Sequence, residues 1–194
     1  MAAVHGIVIA SVLLLPAAGR PEVARARPSA QDQELVAVVL DDLATYQGKD
    51  SPIDGIFSPD PLTLDPRPLP GSPVVDDVLG ELEAGDWDDL GDEGRAALRE
   101  AAQDLESGAG ARVGRFVEGS ARVPLYTGDV GALPVLGFRQ APIRASLPGY
   151  SDDRSVGIVV LSIPWSIHGC TGGYVLVRED ARWRVRIRHF ACYR

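Results

Sequence analysis

Apolar residues recur at helical spacing from Gln31 to Tyr46, with Leu35, Val36, Val39, Leu40, Leu43 and Tyr46 on one face. Ser29, with Asp32 three positions on, can close a capping box at the front of this first helix, and Gly48 follows its end. The stretch from Lys49 to Gly71 holds six prolines. It reads as an extended covering loop, because Ile53, Ile56, Phe57, Leu62, Leu64 and Leu69 gain by lying on a core. Ser72-Pro73 opens a second helix with the stripe Val75, Val78, Leu79 and Leu82, ending near Gly85. Trp87 and Leu90 bridge to a third, Asp92 to Ser107, with Leu98, Ala101, Ala102 and Leu105 inward and Gly108 as its stop.

The period changes after Gly110. Short strands are expected at Arg122 to Tyr126, Leu133 to Arg139, Ile143 to Leu147 and Val156 to Ile163, divided by turn-forming clusters. Val156 to Leu161 is nearly continuous in apolar residues and is the candidate central strand. Helices first and a strand meander after them predict an α+β fold, with the helices on one face of an antiparallel sheet. Residues 27–194 are long enough for one such domain.

The chain closes on a predicted β-hairpin. Cys170 opens its first strand, Glu179 to Arg182 can turn, and Trp183 to Phe190 returns to Cys192. If the turn centres on Ala181, opposed residue numbers sum to 362 and the only two cysteines face each other; a centre half a residue earlier leaves them within one position. A Cys170–Cys192 disulfide is expected. Gly169 to Gly173, with three glycines, is expected to let the chain bend before the hairpin.

At the other end, the apolar run Ile7 to Leu15, ended by Pro16 and followed by Ala17, Ala18 and Gly19, has the layout of a secretory signal peptide cleaved after residue 19 or 26. The run is too short to span a bilayer, and no cysteine follows it to take a lipid. A soluble, exported chain with no membrane span after cleavage is the expectation, and export favours a bridged cysteine pair.

Charge adds a second clue. Residues 1–110 carry 7 basic against 21 acidic side chains, whereas residues 111–194 carry 12 against 6, so the net −8 conceals a polarised distribution. In the hairpin Arg184, Arg186 and Arg188 alternate with Trp183, Val185 and Ile187, which predicts guanidinium groups on one sheet face and apolar residues on the other. The 362 register adds Arg178 opposite Arg184. Such a face needs anions, either aspartates and glutamates of the acidic half or an external carboxylate, phosphate or acidic protein surface. Nucleic acid is disfavoured, since the acidic half repels a polyanion and no established nucleic-acid module occurs.

Catalytic signatures are sparse. His168-Gly169-Cys170 is the one close His and Cys pair and, even with His189, matches no zinc spacing; no metal and no cofactor is expected. A small secreted hydrolase built from Ser166, His168 and His189 is the competing reading, although no Gly-x-Ser-x-Gly elbow occurs.

Pro148-Gly149-Tyr150-Ser151-Asp152-Asp153, then Val156 to Ile163, Gly172-Gly173-Tyr174-Val175-Leu176-Val177 and Trp183-Arg184-Val185 together resemble the terminal β region of uncharacterised bacterial secreted proteins or lipoproteins. The resemblance covers roughly the last 47 residues, implies a β framework, and implies no reaction. The final hairpin is also similar to those closing curved α+β sheets of the nuclear-transport-factor type, from which the long acidic lead and the strand spacing depart. The resulting expectation is an extracytoplasmic binding or interaction domain whose anion-facing residues are Arg178, Arg184, Arg186 and Arg188.

Overall fold

A computed structural model describes residues 28–46, 62–69, 80, 90–108, 114–128, 141–165 and 168–193. Helix α1 spans Ala30–Leu43 and helix α2 spans Gly91–Gly108; the strands are β1 Arg144–Ala145, β2 Gly149–Tyr150, β3 Val156–Trp165, β4 His168–Glu179 and β5 Arg182–Tyr193. The signal-like segment, the second predicted helix apart from helical Gly80, and the predicted strand at 133–139 lie outside the described residues.

β3 is the hub of an antiparallel sheet. One of its edges pairs with β4, which pairs onward with β5, while the other edge carries both β1 and β2. These two short strands are halves of one edge strand interrupted at Ser146. There the Ser146 N–H donates to the Val160 carbonyl at 2.8 Å, and the Val160 N–H donates to Ser146 Oγ at 2.9 Å, so a hydroxyl replaces the missing backbone acceptor. The predicted strand 143–147 is thereby cut to two residues. The predicted strand 122–126 reduces to one bridge between Leu125 and Leu64.

Every second residue of a strand faces the same way, and both faces of β3 are buried. Val159, Leu161 and Ile163 join Leu35, Val36, Val39, Leu40 and Leu43 of α1, together with Tyr174, Leu176 and Trp183. Val156, Ile158 and Val160 join Leu98, Ala101, Ala102 and Leu105 of α2, together with Val175. The α+β arrangement of N-terminal helices on a C-terminal sheet is present, but the helices take opposite faces rather than one. A β3 apolar at nearly every position needs cover on both sides.

The capping box forms as the sequence predicts: the Asp32 N–H donates to Ser29 Oγ at 3.1 Å and the Ser29 N–H to Asp32 Oδ2 at 2.7 Å. Of the covering loop, residues 62–69 do lie on the core. Leu64 is fully buried and bridges Leu125 and Ile143 through backbone bonds, Leu62 packs on the same cluster, and Leu69 packs on the cluster of the α2 side.

Asp65, next to Leu64, is 1% exposed and carries a charge into this layer. Burial alone pushes its carboxyl up, but bonds from the Arg67 side chain and backbone, with the charges of Arg67 and Arg144, outweigh burial and hold it below its ordinary value. A depressed folded pKa contributes stability that is present above the unfolded value near 3.8 and lost as pH falls through the lower folded one. Asp65→Asn therefore costs about 2 kcal/mol at neutral pH and flattens the acid limb of the stability curve, as urea unfolding between pH 2 and 6 will read.

The Pro148-to-Asp153 turn is a bracket between layers. The Tyr150 N–H donates to Asp104 of α2 at 3.0 Å and its hydroxyl to Asp32 of α1 at 2.9 Å. Asp152 N–H meets Glu100 of α2, and Arg154 reaches Gln31 of α1. A motif of tyrosine, serine and aspartates is thus used to tie both helices to the sheet.

Candidate functional site

The terminal hairpin forms with a two-residue turn, Asp180-Ala181, both residues at positive φ of 49° and 64°. That conformation matches the twist of the flanking strands. At the turn end opposed numbers sum to 361: Arg178 faces Trp183, and Val177 faces Arg184. Leu176 then pairs with Val185 but Val175 with Ile187, leaving Arg186 unopposed as a β-bulge. Beyond it the sum is 362 and Cys170 faces Cys192, bridged, with Cα atoms 4.0 Å apart.

The bulge redistributes the predicted arginine face. Trp183 and Val185 belong to the α1 side of the sheet, whereas Ile187 packs on the α2 side. Arg188 is correspondingly turned toward α1, where its Nε donates to Asp42 Oδ2 at 2.7 Å and its Nη2 to Oδ1. It also lies 4.7 Å from the centre of the Tyr46 ring. The bond to Asp42 raises the Arg188 pKa further, so this cation is permanent. Burial and then the Asp42 charge push the phenol of fully buried Tyr174 up as well. Arg188 is therefore a fastening between α1 and β5, met by an acid of the N-terminal half as one of the two expectations had it.

Arg178 is not opposite Arg184; its guanidinium stacks over Trp183 at 5.9 Å. Arg184 Nε approaches Glu179 Oε2 at 3.2 Å, and Arg186 binds Glu179 Oε1. One carboxylate thus serves two guanidinium groups that are 62% and 55% exposed. Exposed Arg178 and Arg182 flank them, with Asp180 as the other acid of the turn.

A cleft of about 740 Å³ opens beside Arg186, between the first turns of α2 and the sheet. Val156, Val177 and Ile187 line it from the strands, and Leu90, Glu93, Gly94 and Ala97 from the helix side, with Asp153 and Ser155 contributed by the turn before β3. Hydrogen bonds from the Ser151 hydroxyl and from Ser155 hold the exposed Asp153 carboxyl below its ordinary value, so it is ionised at neutral pH. Sequence reasoning did not single out Glu93 or Asp153 as a pair, because the turn and the helix that carry them are about 60 residues apart.

Of the hydrolase candidates, the described residues place only His189 and the backbone of His168. Ser166 lies outside the described residues and only the backbone of His168 is described, opposite Trp165 at the start of β4. Half-buried His189 is opposite Gly173, five residues further along, which is about 17 Å of strand. Both cysteines are in the disulfide, so neither offers a thiolate. Among the described residues no group of three His, Cys, Asp or Glu side chains is placed to hold a metal ion, and no helix is long and apolar enough to cross a membrane.

The glycine run before the hairpin is not a bend. Gly169, Gly172 and Gly173 lie inside continuous β4, and a Cβ on Gly172 would sit 2.7 Å from the Phe190 ring of the opposed residue. The missing side chain makes room for that ring, which packs edge-on against Tyr174 at 5.7 Å. No protein-family profile, curated protein or solved structure matches the chain.

Proposed function

We propose that the chain is an extracytoplasmic binding domain, and that the turn end of its terminal hairpin recognises an anionic partner, such as a carboxylate ligand or an acidic protein surface. The observation carrying this reading is the sharing of Glu179 by Arg184 and Arg186, both more than half exposed. Each guanidinium has five N–H donors, and one carboxylate cannot use them all. Arg178 and Arg182 extend the excess of positive charge at the same end. The disulfide and the signal-like start support an oxidising, extracytoplasmic setting.

The test is capture of the protein on an immobilised oligo-glutamate peptide and on envelope proteins of the producing organism, across a salt series. Arg184→Glu and Arg186→Glu are each expected to weaken capture about tenfold at low salt, with the difference shrinking as salt rises. Arg188 is unsuitable as a probe because it fastens α1. Unchanged capture by both variants removes the reading.

A further inference from the structure

The cleft beside the hairpin carries charge of both signs over an apolar floor. Glu93 and Asp153 line it, and neither meets a basic side chain among the described residues. Arg186 lines it too, and among the described residues its one carboxylate partner is Glu179, shared with Arg184; Arg188 also borders the cleft, but its guanidinium is bound to Asp42. A purely anionic ligand entering here would face two uncompensated carboxylates, and a purely cationic one would face Arg186. A neutral apolar ligand would desolvate the Glu93 and Asp153 carboxylates without bringing them a cation, which is unfavourable. A molecule with one group of each sign on an aliphatic body satisfies every wall. The cleft volume of about 740 Å³ is in the usual range for ligands larger than a single amino acid.

We infer that this cleft binds a short apolar peptide with free termini, its ammonium toward Glu93 and Asp153, its carboxylate toward Arg186, and its aliphatic side chains on Val156, Val177 and Ile187. Glu93 is well placed for this, since negative charge is favoured in the first turn of α2, and among the described residues its carboxylate meets no basic side chain. Arg186 can turn from Glu179 to the ligand while Arg184 keeps that acid company. The inference deepens the binding reading, because the role of Arg186 rests on it.

Isothermal titration of the oxidised full chain with dileucine, N-acetyl-dileucine, dileucine amide and diglycine tests it. Dileucine is expected to bind saturably, the acetylated and amidated forms each about tenfold more weakly, and diglycine not measurably. Glu93→Gln should weaken dileucine but leave N-acetyl-dileucine unchanged, and Arg186→Gln should weaken dileucine but leave the amide unchanged; unaltered thermal unfolding of both variants excludes misfolding as the cause. No saturable dileucine binding, equal binding of the four compounds, or indifference to both substitutions overturns the inference. Arg184→Glu separates it from the parent reading: lost oligo-glutamate capture with intact dileucine binding supports both, whereas intact capture by Arg184→Glu and Arg186→Glu alike, with saturable dileucine binding by the parent, removes the anionic-partner reading alone.

Discussion

Gly149→Ala lowers the unfolding free energy by about 3 kcal/mol, while Gly157→Ala, also in the sheet, costs about 1 kcal/mol. A Cβ at Gly149 would lie 2.2 Å from the Ala101 carbonyl oxygen and 2.7 Å from the Leu105 backbone nitrogen, so it strikes the frame of α2 itself. Helix backbone cannot yield locally without breaking its own hydrogen bonds. The alternative is for β2 to retreat, which strains the Tyr150 bond to Asp104 and the pairing of Gly149 with Ile158. At Gly157 the nearest obstacle is Leu35 Cδ1 at 2.6 Å, the far end of a side chain that can change rotamer. Urea unfolding of both variants beside the parent checks the ordering; equal losses would mean that the α2–β2 contact is less rigid than its spacing indicates.

Elements governed by local spacing were legible. Helix α1 follows from its apolar period and from Ser29 with Asp32, both local to a few residues. The hairpin follows from two β-rich runs on either side of a short turn; the cysteine pairing was expected from a turn centred on Ala181, whereas the turn is centred half a residue earlier and the bulge at Arg186 supplies the missing position. What the chain could not disclose by spacing was the bulge. In Trp183 to Arg188 the alternation is strict, so it reads as one apolar and one basic face. The contrary signal was Phe190, which is in phase with the arginines and would be stranded outward if the alternation continued. Its placement against Tyr174 and Tyr46 requires a change of phase, and the unopposed Arg186 supplies it. Likewise the continuous apolar run of β3 already implied cover on both faces, which one-sided layering left unmet.

The candidate site was legible only in its residue types. Arg184 and Arg186 are where an exposed basic surface was expected, and Arg178 stays exposed beside them with its guanidinium over Trp183, but Arg188 is turned inward to Asp42 and Tyr46. The physical reason is that a strand register decides which side chains share a face, and a single extra residue moves everything beyond it to the other side. The cleft depended on a longer-range event still, the laying of α2 across β2 and β3, which brings Glu93 and Asp153 to one opening.

Loss of the Cys170–Cys192 bridge carries a comparable penalty to Gly149→Ala by a different route. The bridge closes a loop with a sequence separation of 22, for which the chain-entropy estimate gives about 3 kcal/mol of destabilisation of the unfolded state. The folded hairpin does not depend on the bond for its register, since the turn and the bulge set it from the other end. Cys170→Ala with Cys192→Ala should accordingly lower stability by about 3 kcal/mol, with unchanged circular dichroism and unchanged capture by the arginines at the turn. The bridge and those arginines lie toward opposite ends of β4 and β5, about 20 Å of strand apart for Arg186 and about 27 Å for Arg184. Thermal unfolding with and without reductant reads the first part: reductant should lower the midpoint of the parent and leave the double variant unmoved. Capture by the double variant reads the second. A lost hairpin signal in the reduced protein would mean that the bond directs strand pairing rather than only limiting the freedom of the unfolded chain.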